Sequence, residues 1–325
     1  MSRASDEAGG GAVVERFAPS PNGHLHLGHG YSALLAFDAA KAAGGRFLLR
    51  WEDIDTARSR AAFEAAIAED LRWLGVAWPT PALRQSERFP VYAQALNGLR
   101  ARGLLYPCTC TRRDIDLALS APQEGDGRAA GARDPARVGP DGPAYPGTCR
   151  PPVDAPAANA TDGAAAQTAW RLDMRRAVAA LGGAEAVGQL RWREVGEGDD
   201  HTGGATPGLH ALDADYLIDI CGDVVLSRKE FPASYHLAVV LDDAAQGVTH
   251  VTRGADLAAA TAIHRLLQAL LGAPTPIYRH HRLIRTPEGK RLAKRDRDAG
   301  LRELRAAGVT PAEIRRRLGL PREVA

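Results

Sequence analysis

The sequence predicts an α/β protein built on a doubly wound parallel sheet, and its N-terminal third carries most of the evidence. The apolar run Val13–Phe17 predicts a strand, and the segment from about Gly28 to Ala43 predicts a helix that stops at a glycine pair. The run Phe47–Trp51 predicts a second, buried strand, and two amphipathic helices follow at about 60–74 and 88–102. Strands that alternate with helices in this order form a parallel sheet covered by helices.

Further along the chain, this pattern is interrupted and then resumes. Residues 120–168 and 196–208 are rich in Gly, Ala, Pro and Asp, so we expect mobile loops in an inserted subdomain. Further parallel strands are predicted at Asp223–Leu226, Leu237–Leu241 and Val248–Thr252, with a helix at Leu257–Leu271. The expected parts are a flexible tail (1–12), the first half of the α/β domain (13–104), the inserted subdomain (105–214), the second half of the α/β domain (215–275) and a basic loop with short helices (276–325).

Composition places the chain among ordinary globular proteins. Its 325 residues are 45% hydrophobic and 25% charged, and no apolar run approaches the roughly 18 residues of a membrane span. The first dozen residues lack the apolar core of a secretion signal, so a cytoplasmic location is expected. The net charge is only +2, but basic residues concentrate near the C-terminus. They form either a solvated helical face or a contact surface for nucleic acid, and the sequence does not decide between these two interpretations.

Two separated elements predict a site for a nucleoside triphosphate. The first is the His-Leu-Gly-His run His26–His29 at the start of a helix, where unpaired N–H groups and the positive dipole end attract phosphate. Gly28 lets a nucleotide approach the backbone, and both histidines can donate to phosphate oxygens. The second is the basic loop Gly289–Arg295, whose Lys294 suits a departing pyrophosphate. The alternatives are a metal site that includes His24, or a plain surface turn.

These elements resemble the signature motifs of class I aminoacyl-tRNA synthetases. His26–His29 is similar to their HIGH motif, and Arg291–Arg295 resembles a KMSKS loop with Arg and Ala in place of Lys and Ser. Arg16–Ser20 and the pair Glu52-Asp53 resemble the glutamate-specific branch. The resemblance covers roughly residues 13–296. It implies a class I catalytic domain that activates L-glutamate with ATP and Mg²⁺, with His26, His29 and Lys294 as catalytic residues that, together with Gly28, also bind ATP.

The resemblance also implies a pocket for the amino acid. Its members would be Arg16, Phe17, Ala18, Pro19, Ser20, Glu52, Tyr235 and Arg253. Glutamate needs cations for two carboxylates and an anion for its amine, and Arg16, Arg253 and Glu52 end predicted strands at the edge of the sheet where ligands bind. In the alternative interpretation, the two arginines form structural ion pairs with Asp242, Asp243 or Asp256.

A cluster of cysteines predicts a structural metal site in the inserted subdomain. Cys108, Cys110 and Cys149 are one ligand short of a tetrahedral zinc site. The run Tyr145–Cys149 resembles the tyrosine-plus-cysteine half of the zinc site in glutamyl-queuosine tRNA(Asp) synthetases, which implies Tyr145 as the fourth ligand. His201 or water is the alternative.

The C-terminal end suggests which acceptor receives the glutamate. Only about thirty residues follow Arg295, too few for a separate anticodon-reading domain. The chain in this respect resembles glutamyl-queuosine tRNA(Asp) synthetases, which transfer glutamate, activated without tRNA, to queuosine at the wobble position of tRNA(Asp). The implied partner is the tRNA(Asp) anticodon stem-loop, held by basic residues such as Arg295 and Arg297. No obligate protein partner and no membrane are expected.

Three other functions stay open on the sequence. The first is a truncated glutamyl-tRNA synthetase that charges the 3′ end of tRNA(Glu). The second is another nucleotidyltransferase with the same histidine turn, and the third is an inactive, zinc-stabilised RNA-binding paralogue.

Overall fold

A computed structural model describes residues 12–120, 138–152, 168–197, 206–229, 231–285 and 300–322. The strands within these ranges are β1 (Val14–Phe17), β2 (Arg46–Trp51), β3 (Leu83–Arg84), β4 (Leu105–Cys108), β5 (Val138–Gly139), β6 (Gly142–Pro143), β7 (Ala169–Leu172), β8 (Arg191–Glu194), β9 (Gly208–Ala211), β10 (Val225–Ser227), β11 (His250–Gly254) and β12 (Ile277–His281). The α-helices are α1 (Leu27–Ala42), α2 (Ala61–Trp73), α3 (Phe89–Ala101), α4 (Arg112–Ser120), α5 (Met174–Ala180), α6 (Gly183–Gly188), α7 (Tyr235–Ala245), α8 (Ala260–Leu271), α9 (Leu301–Ala306) and α10 (Pro311–Leu318).

The parallel sheet predicted from the sequence is confirmed. Strands β1, β2 and β3 pair in parallel, and so do β11, β12 and β8, while β9 is an antiparallel edge strand. The two groups meet where β1 lies beside β11, since the Thr249 N–H donates to the Val14 carbonyl oxygen at 3.0 Å. Because the first strand lies between strands from both halves of the chain, side chains near its carboxyl end face residues that are distant in sequence.

The C-terminal helices complete the hydrophobic core on one face of this sheet. Leu301 of α9 and Ile314 and Leu318 of α10 are buried in one cluster with residues of β1, β2, α1 and α2. Burial of leucine-sized side chains stabilises the fold by about 1.5–3 kcal/mol each. Basic residues here pair within the chain: Arg305 with Glu69 and Asp70, Arg315 with Asp38, and Arg316 and Arg317 with Glu313. These four arginines, which belong to the basic C-terminal cluster, therefore form ion pairs within the protein.

A second, antiparallel sheet combines β4 and β7, from the segment predicted as an inserted subdomain, with β10 from beyond that segment, and here one strand prediction is wrong. Strands β4 and β10 both pair antiparallel with β7. The strand predicted at Asp223–Leu226 is observed as β10, but it belongs to this small sheet and not to the parallel one. A short apolar run carries no information on the direction of its partner, so the sequence did not distinguish the two sheets.

The predicted strand Leu237–Leu241 is also wrong, because these residues lie in helix α7. Ser234 caps the helix, and its hydroxyl accepts a hydrogen bond from the Leu237 N–H at 3.4 Å. The helix is buried on most sides, from His236 to Val240 and again at Asp242 and Asp243, so its apolar residues show no helical period. Such a run is indistinguishable from a buried strand by periodicity alone, and the capping serine was the available signal.

Two further observations concern the expectations from composition. None of the helices in the described ranges combines the length and the apolar character required to cross a bilayer. The tail and most of the segments predicted as mobile loops lie outside the described residues.

Candidate active site

A cavity of about 250 Å³ opens at the carboxyl ends of β1, β2 and β11. It brings together most of the residues predicted for the two substrates, namely Arg16, Phe17, Ala18, His26, Gly28, His29, Glu52, Tyr235 and Arg253. Pro19 is buried and does not line it, and Ser20 is exposed and lines a larger neighbouring cavity. Lys294 lies outside the described residues. The triphosphate motif and the amino-acid residues therefore share one cavity.

The two histidines of the His-Leu-Gly-His turn cap helix α1 reciprocally. The Gly28 N–H donates to His26 Nδ1 at 3.1 Å, and the His26 N–H donates to His29 Nδ1 at 3.2 Å. Because both rings accept through Nδ1, each neutral ring carries its proton on Nε2. These bonds fix both imidazoles at the positive end of the helix, where phosphate binds favourably.

Gly28 is required by close packing within this turn. A Cβ added to Gly28 would lie 2.9 Å from His26 Cε1 and 3.1 Å from His26 Nδ1. Any larger residue therefore displaces the ring that caps the helix. The sequence predicted that Gly28 lets a nucleotide approach the backbone. The packing against His26 is a second reason for a glycine at this position.

The described residues on either side of the segment that contains Lys294 lie at the same cavity or at its histidine turn. Leu283 and Ile284, before the gap, line the cavity. Gly300, after the gap, forms an isolated antiparallel bridge with His26, and the Leu301 N–H donates to the Leu25 carbonyl oxygen at 3.0 Å. The described residues before position 286 and after position 299 thus lie near the histidine turn.

Arg16 forms the structural ion pair that the sequence left as an alternative, yet it also faces the cavity. Arg16 Nε lies 3.1 Å from Asp243 Oδ1, and the buried Arg50 lies 2.6 Å from the same oxygen. Arg50 also reaches Glu52 at 3.2 Å. Burial opposes ionisation of Asp243, but Arg16 and Arg50 outweigh it and hold the pKa of this carboxyl below its usual range. One carboxylate is thus shared between two guanidinium groups.

Arg253 is held in a different way, by neutral acceptors. It is 5% exposed. Its Nε–H donates to His280 Nε2 at 2.9 Å, Nη1 to His264 Nδ1 at 3.1 Å and Nη2 to the Thr261 hydroxyl at 2.7 Å. Burial, with Arg253 itself adding repulsion, lowers the pKa of both histidines, so they are neutral. Among the described residues no carboxylate lies at ion-pair distance from this guanidinium. Its positive charge is positioned without being neutralised, as a carboxylate ligand requires.

Glu52 and Tyr235 complete the polar wall. Burial raises the pKa of Glu52, with Arg50 and Arg16 opposing, and burial likewise raises the pKa of Tyr235. A bound ammonium group favours the ionised form of Glu52 and lowers that pKa again. The cavity therefore presents an anion beside two cations, the charge pattern that a dicarboxylic amino acid needs.

The predicted metal ligands also come together. The sulfur atoms of Cys108, Cys110 and Cys149 all lie within 4.8 Å of one another. Tyr145 Oη lies 3.5 Å from Cys108 Sγ and 3.3 Å from Cys110 Sγ, and Cys110 Sγ lies 3.4 Å from Cys149 Sγ. Tetrahedral zinc–sulfur bonds of about 2.3 Å place sulfur atoms roughly 3.8 Å apart, so this donor set fits a metal. The alternative ligand His201 lies outside the described residues.

A larger cavity of about 1050 Å³ adjoins the cysteine cluster. Glu52 and Tyr235 line both cavities, while Arg228, Lys229 and His236 line the larger one and not the smaller one. An acceptor bound here would therefore approach the amino-acid pocket directly, between the parallel sheet and the inserted region.

Several site residues were missed from the sequence. The most informative are His264 and His280, which hold Arg253, and Glu194, which accepts from His280 Nδ1 at 2.5 Å. His264 lies on the buried face of α8 between Ala260 and Leu267. A histidine at a core position of an amphipathic helix was the signal available, but its partner is on another element.

Comparison with known proteins gives a consistent result. The model of the catalytic domain of class I tRNA synthetases (E and Q) matches residues 12–127 and 215–321. A Rhodobacter capsulatus protein named glutamyl-Q tRNA(Asp) synthetase is 52% identical over 308 residues, covering 95% of this chain and 100% of the relative. A Symbiobacterium thermophilum protein of the same name is 39% identical, covering 92% of this chain and 83% of the relative.

Solved structures support the same fold. The glutamate-tRNA synthetase of Elizabethkingia anophelis is 26% identical with a TM-score of 0.62, covering 89% of this chain and 54% of its own. A glutamate tRNA ligase of Elizabethkingia meningosepticum, in complex with its amino acid, is 26% identical with a TM-score of 0.61. The chain spans about half the length of these two solved enzymes. The sheet, the shared cavity and the near full-length relatives agree: the chain belongs to the glutamyl-Q tRNA(Asp) synthetase family, within the class I tRNA synthetases of the E and Q type.

Proposed function

We propose that this chain activates L-glutamate with ATP in the absence of tRNA and transfers it to queuosine of tRNA(Asp). The observation that carries the proposal is the single cavity in which a phosphate-binding helix start faces Arg16, Glu52, Tyr235 and Arg253. Family membership supports the same activity, because the relatives named for it align along nearly the whole chain. That extent favours it over charging of tRNA(Glu).

In the first step, a carboxylate oxygen of glutamate attacks the α-phosphorus of ATP and pyrophosphate leaves. Arg253 and Arg16 take the two carboxylates, and Glu52 takes the ammonium group. His26, His29 and the N–H groups of α1 bind the triphosphate, with Mg²⁺ accompanying it. This arrangement holds two anions in contact and stabilises the charge that develops on the phosphates.

Lys294 is proposed to bind the departing pyrophosphate. Support comes from its motif in the sequence and from the anchoring of Ile284 and Gly300 beside the cavity. A lysine that contacts the phosphates most strongly in the transition state raises the rate without tightening ATP binding.

In the second step, a hydroxyl group of queuosine attacks the acyl carbon and AMP leaves. The larger cavity is proposed to admit the anticodon stem-loop, with Arg228 and Lys229 available to its phosphates. Zinc, held by Cys108, Cys110, Tyr145 and Cys149, would supply no redox or acid–base chemistry here and would fix the fold of the inserted region. Any anticodon contact from Arg295 and Arg297 concerns residues outside the described ranges.

The proposal is tested by locating the glutamate on the product. Labelled glutamate is incubated with ATP, the protein and tRNA(Asp) that carries queuosine, and the tRNA is then cleaved by nuclease. We expect the label in the anticodon-loop fragment. Matched controls are tRNA(Asp) with unmodified guanosine at the wobble position and fully matured tRNA(Glu). Label at a 3′ end, or equal label on the unmodified tRNA, would refute the proposed acceptor.

A further inference from the structure

A chain of hydrogen bonds leads from Arg253 to the inserted region. Arg253 Nη1 donates to His264 Nδ1 at 3.1 Å, and His264 Nε2 lies 3.0 Å from His236 Nδ1. His236 Nε2 lies 3.1 Å from both carboxylate oxygens of Asp141. The chain thus passes from β11 through α8 and α7 to the turn between β5 and β6.

The two ends of this chain fix every proton along it. A guanidinium group can only donate and a carboxylate can only accept, so His264 accepts on Nδ1 and donates from Nε2 to His236, which in turn donates from Nε2 to Asp141. If His236 adopted the other tautomer, its Nδ1–H would point at the Nε2–H of His264, and two donors would face each other. His264 would then also have to change tautomer, and its Nδ1–H would point at the Arg253 N–H. Arg253 opposes this reversed arrangement from one end, and Asp141 opposes it from the other, because its carboxylate accepts only from a His236 that carries its proton on Nε2.

Asp141 is held in place from outside the chain of bonds. The β5–β6 hairpin packs closely on residues 216–222, since a Cβ at Gly139 would lie 2.4 Å from the Ile220 carbonyl oxygen. The carboxylate side chain is 55% exposed and faces the larger cavity. His236 and His264 are both buried. One end of this series of hydrogen bonds is therefore open to the larger cavity, and the other end lies at the smaller cavity.

We infer that Asp141 is a positioning residue for glutamate activation, which acts through His236 and His264 on Arg253. This inference rests on the proposed function. Asp141 lines the larger cavity and not the cavity that holds Arg16 and Arg253. Its carboxylate keeps both imidazoles in the tautomers that accept from Arg253, and Arg253 then presents its remaining N–H groups to the substrate carboxylate. His280 and Thr261 retain the other two bonds of the guanidinium, so loss of Asp141 weakens the pocket without abolishing it.

The test is glutamate-dependent exchange between ATP and pyrophosphate without tRNA. For Asp141→Ala we expect the KM for glutamate to rise about five- to tenfold, the effect of one hydrogen bond, with the KM for ATP unchanged. Asp141→Asn keeps an acceptor oxygen for His236, so its KM should stay within about twofold of the wild type. Asp215→Ala is the matched control, because this aspartate is exposed and lines neither of the two cavities.

A double-mutant cycle separates this role from general packing. In a His236→Leu background, Asp141→Ala should not raise the KM for glutamate further, because the series of hydrogen bonds from Asp141 to Arg253 is already interrupted. If His236→Leu does not fold, the comparison of Asp141→Ala with Asp141→Asn decides alone. Equal KM values for glutamate in Asp141→Ala and the wild type, or equal losses in Ala and Asn variants, would overturn the inference. A wild type that shows no exchange with glutamate would instead refute the proposed function.

Discussion

At the scale of single residues, the two arginines of the pocket illustrate two ways to hold a buried cation. Arg16 shares Asp243 with Arg50, so much of its charge is balanced before any ligand arrives. Arg253 donates only to neutral histidines and to a hydroxyl. We therefore expect Arg253 to contribute the larger share of affinity for a glutamate carboxylate, since a carboxylate gains most where it meets an uncompensated charge.

Substitution of Gly28 tests the capped histidine turn. Gly28→Ala pushes a Cβ into the His26 ring, so the cap is lost and kcat/KM for ATP should fall about tenfold or more. The measurement is pyrophosphate exchange with ATP varied at saturating glutamate. Gly98→Ala is the matched control, because a Cβ at Gly98 of α3 meets no atom within 4 Å, and it should leave activity intact while stabilising the protein by about 0.5–1 kcal/mol. Unchanged kinetics of Gly28→Ala would contradict the geometry of the turn.

The raised pKa of Glu52 predicts a pH dependence for glutamate binding. Burial favours the protonated form, which cannot pair with the ammonium group, so the KM for glutamate should rise as pH falls from the alkaline into the acid range. Glu52→Gln should raise the KM at all pH values and remove this acid limb. Exchange assays across that range check both points. If the KM for glutamate still rises at low pH in Glu52→Gln, a group other than Glu52 is responsible for the pH dependence.

At the scale of secondary-structure elements, predictability from the sequence depended on whether an element's partners were local. The β1–α1–β2 unit and helices α2, α3 and α8 were predicted because the signals lie within each segment: the glycine pair that ends α1 and the apolar periods of the other helices. Helix α7 was mistaken for a strand, and β10 for a parallel strand, because their neighbours come from distant segments. The residues that hold Arg253 were missed for the same reason. The Lys294 prediction lies outside the described residues.

The element that carries Tyr145 and Cys149 should depend on a bound metal. We expect about one zinc per chain in the purified protein, measured by inductively coupled plasma mass spectrometry, and a large loss in Cys110→Ala and Cys149→Ala. Cys221→Ala is the control, because Cys221 is buried outside the cysteine cluster and should leave the metal content unchanged. Full zinc content in Cys149→Ala would exclude the proposed ligand set.

The contact between α2 and α9 predicts a pH-dependent stability. Both oxygens of Asp70 are buried without a hydrogen bond among the described residues, and burial raises its pKa to about 6 although Arg305 lies 3.3 Å away. The folded pKa exceeds the unfolded value of 3.8, so the stability contributed by the protonated form is complete below that value and is lost as pH rises through about 6.

Asp70→Asn removes this penalty. The thermal midpoint should rise by roughly 2–4 °C at neutral or higher pH, and the gain should vanish in the acid range. Thermal unfolding followed by circular dichroism at several pH values measures the difference. A gain that is the same at every pH, or a loss above pH 6, would mean that the Arg305 pair outweighs burial.

At the scale of the whole molecule, two cavities meet at Glu52 and Tyr235. The smaller lies at the carboxyl ends of the parallel strands and holds the groups that we propose for activation. The larger adjoins the cysteine cluster and is the cavity that we propose for the anticodon loop. An adenylate formed in the first cavity would therefore be attacked from the second without leaving the protein.

The most direct test of this arrangement is exchange of labelled pyrophosphate into ATP by the purified protein, with each amino acid supplied in turn and no tRNA present. Exchange that requires L-glutamate, and that is lost in Lys294→Ala without a large change in the KM for ATP, is the predicted result. No exchange with glutamate, or the same exchange rate in Lys294→Ala, would contradict the claim that this cavity forms an acyl-adenylate.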